Sequence, residues 1–323
     1  MMKRRFVLLI ACVFCHAPPI HAAALSTSQA SCDRQCLDQL AAAYLEALKA
    51  HDPARLPLAA NVKFTENNVV LPIGRGLWRT VSGDGAHGVI ATDLVRGEVV
   101  LSAVIAEGDH TAILLARLRV EDGRLTEIET LVGRRDNTPW LEPIGWYQMA
   151  PLLEQEVDPA RRTARDVSID IENRYFDRLT DATRPTPPLD ERCNRIENGV
   201  RTTNNPDPFP GRSSSPLSAE VTRMSCAEHF ALNKLGFVTR VRNRRYGLVD
   251  EAKGISLAMV IFDHDGDIGM VAAGDAAHSA TLSSPQPSPA SIMVGEVFKV
   301  EAGKIVLIQA LLIALPYGMT SSW

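Results

Sequence analysis

Two glutamates sit in matching surroundings. Leu58-Ala-Ala-Asn-Val-Lys-Phe-Thr-Glu66-Asn67-Asn-Val69 is answered by Leu189-Asp-Glu-Arg-Cys-Asn-Arg-Ile-Glu197-Asn198-Gly-Val200. A carboxylate at the end of a strand can accept a proton, and a neighbouring amide can orient it or a ligand. The offset is 131 positions (197 − 66) and holds without a gap back to Tyr44 and Tyr175. Seven identities (Tyr, Leu, Pro, Leu, Glu, Asn and Val) fall in those 26 positions, where chance gives roughly one or two, so the stretch is an internal repeat. A second match, Arg119-Val-Glu-Asp-Gly-Arg-Leu against Lys299-Val-Glu-Ala-Gly-Lys-Ile, lies at an offset of 180 (299 − 119). The second copy therefore carries extra loop.

Other residues suggest chemistry less sharply. His264 is the histidine flanked by acids, in Asp263-His-Asp-Gly-Asp267, and is a candidate for acid–base work. The carboxylates there are two apart, as in a calcium loop, but the distal glutamate of the helix-loop-helix motif is lacking, so no metal is expected. Arg240, Arg242, Arg244 and Arg245 read as a solvated strand face, or as contacts for an anionic substrate. Arg195, Asn198, Arg240, Arg242 and Tyr246 are the candidate ligand contacts. Arg195 shares a strand face with Glu197, which also fits a structural ion pair. Walker, dinucleotide and Gly-x-Ser-x-Gly fingerprints do not occur, which weakens nucleotide, NAD and hydrolase readings; no cofactor is expected.

The elements that must position these groups follow from periodicity. Residues 32–50 repeat apolar side chains every 3.6 positions and predict a helix; 164–180 predict its counterpart. Strands are expected at 62–70, 98–105, 112–120 and 125–132, and again at 193–200, 237–250, 255–263, 291–300 and 305–315. Residues 75–87 read as irregular, and 223–235 as a short helix carrying Cys226 and His229. Residues 136–163, with four prolines between aromatics, predict an ordered strap, and the Ser/Pro-rich loop 274–290 is a candidate lid.

The chain of 323 residues has room for two cores, a net charge of −4 that gives no footing for nucleic acid, and an aromatic content of 6% that argues against a base-stacking platform. Lys3-Arg4-Arg5, an apolar run and Ala22-Ala-Ala24 read as a signal peptide over 1–24, with Leu9-Ile-Ala-Cys12 as a lipoprotein alternative. Export, to the periplasm or outside, makes disulfides the expected state of Cys32, Cys36, Cys193 and Cys226. Three pairings exist; Cys32–Cys36 across one helical turn, with Cys193–Cys226, is the one expected. After cleavage no stable membrane insertion is expected, and a homo-oligomer is left open.

A helix, a strand ending in acid, then an antiparallel meander resembles the nuclear transport factor 2-like superfamily, which includes SnoaL-like polyketide cyclases, ketosteroid isomerase and scytalone dehydratase. Over nearly the whole mature chain, Arg195-Ile-Glu-Asn-Gly, Thr202-Thr-Asn-Asn-Pro206, Val249-Asp-Glu-Ala-Lys-Gly254, Phe262-Asp-His-Asp-Gly266 and Pro316-Tyr-Gly-Met resemble a family of secreted proteins without assigned function. The resemblance implies an α+β fold of two cone-shaped domains, each a helix-covered curved antiparallel sheet. The first would span 25–135, the second, elaborated one 164–323, with 136–163 as linker. By likeness to ketosteroid isomerase, Tyr175 in Arg-Tyr-x-x-x-Leu matches a helix tyrosine, Glu197 the acidic base, and Glu296, four before Val300, the third polar group. Ala116 stands at that place in the first copy. An apolar cone would raise the pKa of such a carboxylate, and a tyrosine with a protonated carboxyl could stabilise a developing enolate. The favoured reading is a small, mostly apolar organic ligand in the second cone and a cofactor-independent isomerase, dehydratase or lyase. The alternatives are a non-catalytic binding module and a secreted structural or interaction protein.

Overall fold

The computed structural model describes residues 32–84, 88–138, 140–148, 150–209, 219–266 and 288–323. The expected leader at 1–24, with Cys12 and Cys15, lies outside them, as does the lid candidate up to residue 287. The first half holds α1 (Arg34–Lys49), β1 (Leu58–Glu66), β2 (Val69–Val70), α2 (Leu77–Thr80), β3 (Val81–Asp84), β4 (Ile90–Asp93), β5 (Glu98–Glu107), β6 (His110–Glu121) and β7 (Arg124–Gly133). Two short helices follow, α3 (Pro143–Gln148) and α4 (Ala150–Glu154). The second half holds α5 (Arg165–Thr180), β8 (Leu189–Glu197), β9 (Val200–Arg201), α6 (Ala219–Arg223), α7 (Cys226–Ala231), β10 (Arg240–Asp250), β11 (Ile255–His264), β12 (Ala290–Glu301) and β13 (Lys304–Leu315).

The chain is α+β. Among the described residues the strands form two sheets, ordered β2-β1-β7-β6-β5-β3, with β4 also on β5, and β10-β11-β12-β13-β8-β9. In each, a meander of antiparallel strands closes on one parallel neighbour, β7 on β1 and β13 on β8. Equivalent elements keep the spacing of the repeat. α5 begins 131 positions after α1 (165 − 34) and β8 131 after β1 (189 − 58); β12 begins 180 after β6 (290 − 110). Register shifts interrupt β1, β3, β7, β8, β10 and β13, and such bulges bend strands and increase their twist.

Each helix buries its apolar stripe on one sheet. Leu37, Ala41, Tyr44, Leu45 and Leu48 of α1 pack with Phe64, Leu101, Leu114 and Ile128. Ile171, Tyr175, Phe176 and Leu179 of α5 pack with Phe230, Val260, Phe298 and Ile308. The opposite faces of the two sheets meet in one shared cluster containing Val100, Leu115 and Leu131 from the first and Leu257, Met259, Val297 and Leu311 from the second. The layers therefore run helix, sheet, sheet, helix, and residues 31–323 form one compact unit.

The strap is ordered because it is part of that core. Leu141, Trp146 and Leu153 join the shared cluster. Trp146 Nε1 donates to Ser102 Oγ at 2.8 Å, and Gln309 Nε2 donates to the Trp146 carbonyl at 3.1 Å. Gly199, at φ +89°, lets the β8–β9 turn touch α3: a Cβ there would lie 1.8 Å from the Glu142 carbonyl oxygen. Both cysteine pairs are bonded as expected, Cys32–Cys36 with Cα atoms 5.3 Å apart and Cys193–Cys226 at 5.9 Å.

Some boundaries differ from the periodicity. The strand expected at 62–70 is two, β1 and β2, separated by Asn67 and Asn68 at positive φ. The stretch 193–200 divides in the same way at Asn198 and Gly199. Residues 75–87, read as irregular, hold α2 and β3. The helix expected over 223–235 is α6 followed by α7, broken where Ser225 caps α7 in a capping box with Glu228. Among the described residues no helix is long and apolar enough to cross a membrane.

Candidate functional site

Strand register decides which polar groups meet. Ala258, Glu296, Ala310 and Glu197 are successive register partners across β11, β12, β13 and β8, so they form one row on one face. Glu296 and Glu197 stand two strand spacings apart, roughly 10 Å. The equivalent row in the first sheet is Leu101, Ala116, Thr130 and Glu66. α5 lies over the second row, and Tyr175 Oη donates to Glu296 Oε1 at 2.7 Å.

Tyr175, Glu197 and Glu296 line one cavity of about 70 Å³. Most of the remaining wall is apolar, with Leu179, Val238, Phe262, Ile292 and Leu312 among it, and Trp140 closes one side. The Trp140 indole donates to the Glu197 carbonyl at 3.0 Å, so the strap forms part of the wall.

Burial governs ionisation here. Glu296 is 2% exposed and its Oε2 has no partner. Burial pushes its pKa up to about 7, against the pull of the Tyr175 hydroxyl and the Arg195 charge. Glu197 is only partly covered, and burial raises its pKa too, with Arg195 opposing. Tyr175 is driven well above an ordinary phenol, mainly by burial. At neutral pH Tyr175 is a proton donor, and Glu296 can hold or release one.

The first sheet differs where it matters. Glu66 Oε2 accepts from the Leu77 amide at 2.6 Å, and Oε1 accepts from Arg134 Nη2 at 3.0 Å. Both oxygens are thus engaged by its own chain. Tyr44 is fully buried with its hydroxyl unpartnered, edge-on to Trp78. With Ala116 in place of an acid, Tyr44 has no carboxyl opposite it.

Several candidates do not reach the cavity. His264 ends β11, six register positions from Ala258, and its Nδ1 is 3.0 Å from the Phe237 carbonyl. Asn198 is a turn residue at φ 48°: its Oδ1 accepts from the Leu312 amide at 2.8 Å and its backbone N–H donates to the Ala310 carbonyl. Asn67 repeats this in the first sheet, bonding the Val132 amide at 2.7 Å. The Glu-Asn repeat is therefore half structural. Arg240 and Arg242 both bond Asp263, Arg242 also donates to the Met319 carbonyl, and neither lines the cavity. Arg244 pairs with Asp177 and Arg245 with Glu129. Tyr246 donates to Asn173 Oδ1. Arg195 is 1% exposed and lies behind Tyr175, with its guanidinium carbon 5.8 Å from the ring centroid. It pairs with His229 rather than with Glu197.

Two groups near the site escaped the periodicity. Glu172, one turn before Tyr175 on α5, is fully buried with both oxygens unpartnered, and burial pushes its pKa up to about 8. His229 on α7 takes Arg195 Nη1 at Nδ1, 3.0 Å away, and its Nε2 is 2.9 Å from the Val221 carbonyl. A polar residue at an apolar position of a helical stripe was the available signal for Glu172. Among the described residues no group of three or more His, Cys, Asp and Glu is placed to hold a metal ion.

A family model described as a domain of unknown function, DUF8021, matches residues 161–312. That span runs from the start of α5 into β13 and includes every cavity residue named above except Trp140. A solved structure described as a SnoaL-like polyketide cyclase from Jannaschia sp. CCS1 is similar over 49% of this chain and 90% of that chain, at 11% identity and a TM-score of 0.25. No curated protein matches the chain.

Proposed function

We propose that the chain is an exported protein built from two tandem cone-shaped domains, and that the second binds a small organic molecule and transfers a proton on it. The observation that carries this reading is the Tyr175–Glu296 hydrogen bond at 2.7 Å in an apolar cavity that also receives Glu197. Glu197, in its ionised form, would take a proton from carbon beside a carbonyl. Tyr175, turning its one O–H from Glu296 to the ligand, and protonated Glu296 would donate to the oxygen on which charge develops. The overall reaction class is isomerisation, dehydration or elimination. At about 70 Å³ the cavity holds only a few heavy atoms, well below the ~300 Å³ at which ligand pockets begin. A larger substrate requires the cavity wall to open. Two disulfides support the export reading.

The second reading is a binding module without turnover, which the mainly apolar wall favours. One experiment separates the two. Small ketones and enones retained by the protein in native mass spectrometry are incubated with it in D₂O and followed by NMR. Exchange at carbon next to the carbonyl, lost in Glu197→Gln, supports proton transfer. Retention without exchange supports the binding module, and no retention rejects both.

A further inference from the structure

We propose that His229 and Arg195 form a positioning pair that keeps one uncompensated positive charge behind Tyr175 and so makes the Tyr175–Glu296–Glu197 trio carry a single negative charge. The proposal rests on the catalytic reading of that trio for its use in turnover, but the charge arrangement stands on geometry alone.

Arg195 is 1% exposed, and among the described residues its guanidinium takes His229 and no carboxylate as side-chain hydrogen-bond partner. Its Nε and Nη2 have no hydrogen-bond partner. A buried guanidinium ordinarily takes a carboxylate, because an unpaired buried charge is costly. Here Nη1 is given a histidine instead, at 3.0 Å. The other histidine nitrogen faces the Val221 carbonyl at 2.9 Å, and a carbonyl can only accept. That fixes the proton on Nε2 and leaves the Nδ1 lone pair for Arg195. Burial and the Arg195 charge hold the His229 pKa down to about 4, which agrees with this tautomer. His229 is thus a neutral acceptor. It orients the guanidinium without cancelling its charge, as an aspartate or glutamate would.

The charge is directed at the trio. The guanidinium carbon lies 5.8 Å from the Tyr175 ring centroid and 5.8 Å from that of Phe230. The Cys193–Cys226 bond ties β8 to the start of α7 and so fixes Arg195 and His229 relative to each other. The other titratable groups around the pair are Glu172 and Arg178 on α5, Glu197 on β8, Glu228 beside His229 on α7, whose exposed carboxylate accepts from the Ser225 amide and hydroxyl, Lys234 after α7 and Tyr246 on β10. Glu172 is protonated at neutral pH, Tyr246 is neutral, and Arg178 donates to the Phe230 carbonyl. None of these supplies a carboxylate to cancel Arg195 except the trio itself. One positive charge beside two carboxyls stabilises one anion, so one of Glu197 and Glu296 ionises while the other keeps its proton. This is the division a base and an acid require.

The test reads ionisation directly, in ligand-free protein carrying ¹³C-labelled glutamate carboxyls, with Glu197 and Glu296 signals assigned by their loss in the Gln variants. Arg195→Met shifts the carboxyl titrations upward by about one pH unit, the size expected for a unit charge ~10 Å away at an effective dielectric near 20. His229→Glu, which neutralises Arg195 without removing it, produces a shift of the same sign. His229→Gln and Arg195→Lys keep wild-type titrations. If Arg195→Met does not fold, His229→Glu decides alone. In the wild type, ¹⁵N shifts of His229 report the neutral Nε2–H form at neutral pH; a protonated His229 overturns the proposal whatever the variants do. Unmoved titrations in the folded charge-changing variants overturn it too. If the titrations shift but no substrate exchanges protons, the charge arrangement stands and the catalytic reading falls.

Discussion

Arg34, at the start of α1, grips Asp250 at the end of β10 through two hydrogen bonds of 2.8 and 2.9 Å. The return contact is Arg165, at the start of α5, on Asp93 at the end of β4. The arginines are 131 positions apart (165 − 34) and the aspartates 157 (250 − 93). The Thr92 amide donates to Asp250 and the Val249 amide to Asp93, each at 3.0 Å. Each half therefore offers the same groups to the other, which is the pattern of a two-fold, isologous contact.

Both aspartate side chains are fully buried, whereas the arginines are partly exposed. Removing either arginine leaves a buried carboxylate with amide partners only. Arg34→Ala and Arg165→Ala are each expected to lower stability by about 2 kcal/mol, read from urea midpoints. A loss from one alone would show the contacts to be inequivalent. For Asp250, burial opposes the charge, but Arg34 and the Thr92 amide outweigh it and hold the carboxyl below its ordinary range. Its contribution is complete above the unfolded-state value and is lost as pH falls through the lowered folded value, on the acid side of about pH 4.

Glu172 carries the opposite sign. Its folded pKa of about 8 lies above that of an unfolded glutamate, so the folded chain holds a proton that the unfolded chain has released. Stability from this group is complete below the unfolded value and declines as pH rises toward 8, at no more than about 1.4 kcal/mol per pH unit. Glu172→Gln flattens the stability profile between pH 5 and 8. An unchanged slope would mean that Glu172 finds a counter-charge.

On the proposed catalytic reading the two glutamates of the repeat separate by function. Glu197→Gln keeps shape and removes the base, so turnover is expected to fall by about 10²–10⁴. Glu66→Gln loses its bond to Arg134 and weakens the fold by about 1–2 kcal/mol, with little effect on turnover. The wild-type rate rises with pH as Glu197 ionises. Equal activity losses in the two variants would reject the asymmetry.

Loss of the Cys193–Cys226 bond, whose residues are 33 apart in sequence, should cost about 3–4 kcal/mol on a chain-entropy estimate. Cys32–Cys36, 4 apart, should cost about 2. Thermal unfolding of the two Cys→Ser pairs checks the order.

What the sequence made legible was whatever repeats locally. Tyr44/Tyr175 and Glu66/Glu197 lie within one gapless helix–strand unit, so their register survived. Glu296 was placed by likeness to ketosteroid isomerase, since periodicity alone does not fix strand phase. The arginines of β10 were opaque because their partners Asp177, Glu129 and Asp263 come from elsewhere in the chain. Asn198 looked like a ligand group because periodicity does not reveal a positive φ. His229 became meaningful only once α7 was set against Arg195.

The shared cluster between the sheets has a consequence for dilution. Val100, Leu115 and Leu131 face Leu257, Met259 and Leu311, an arrangement two separate chains could also make. Separate chains would part at low concentration. Here the strap joins the partners covalently, so their effective concentration is fixed by its length and not by the amount of protein. The unfolding midpoint should be the same at nanomolar and at micromolar protein. Cleavage within the strap would turn the same contact into an association that dilution can break.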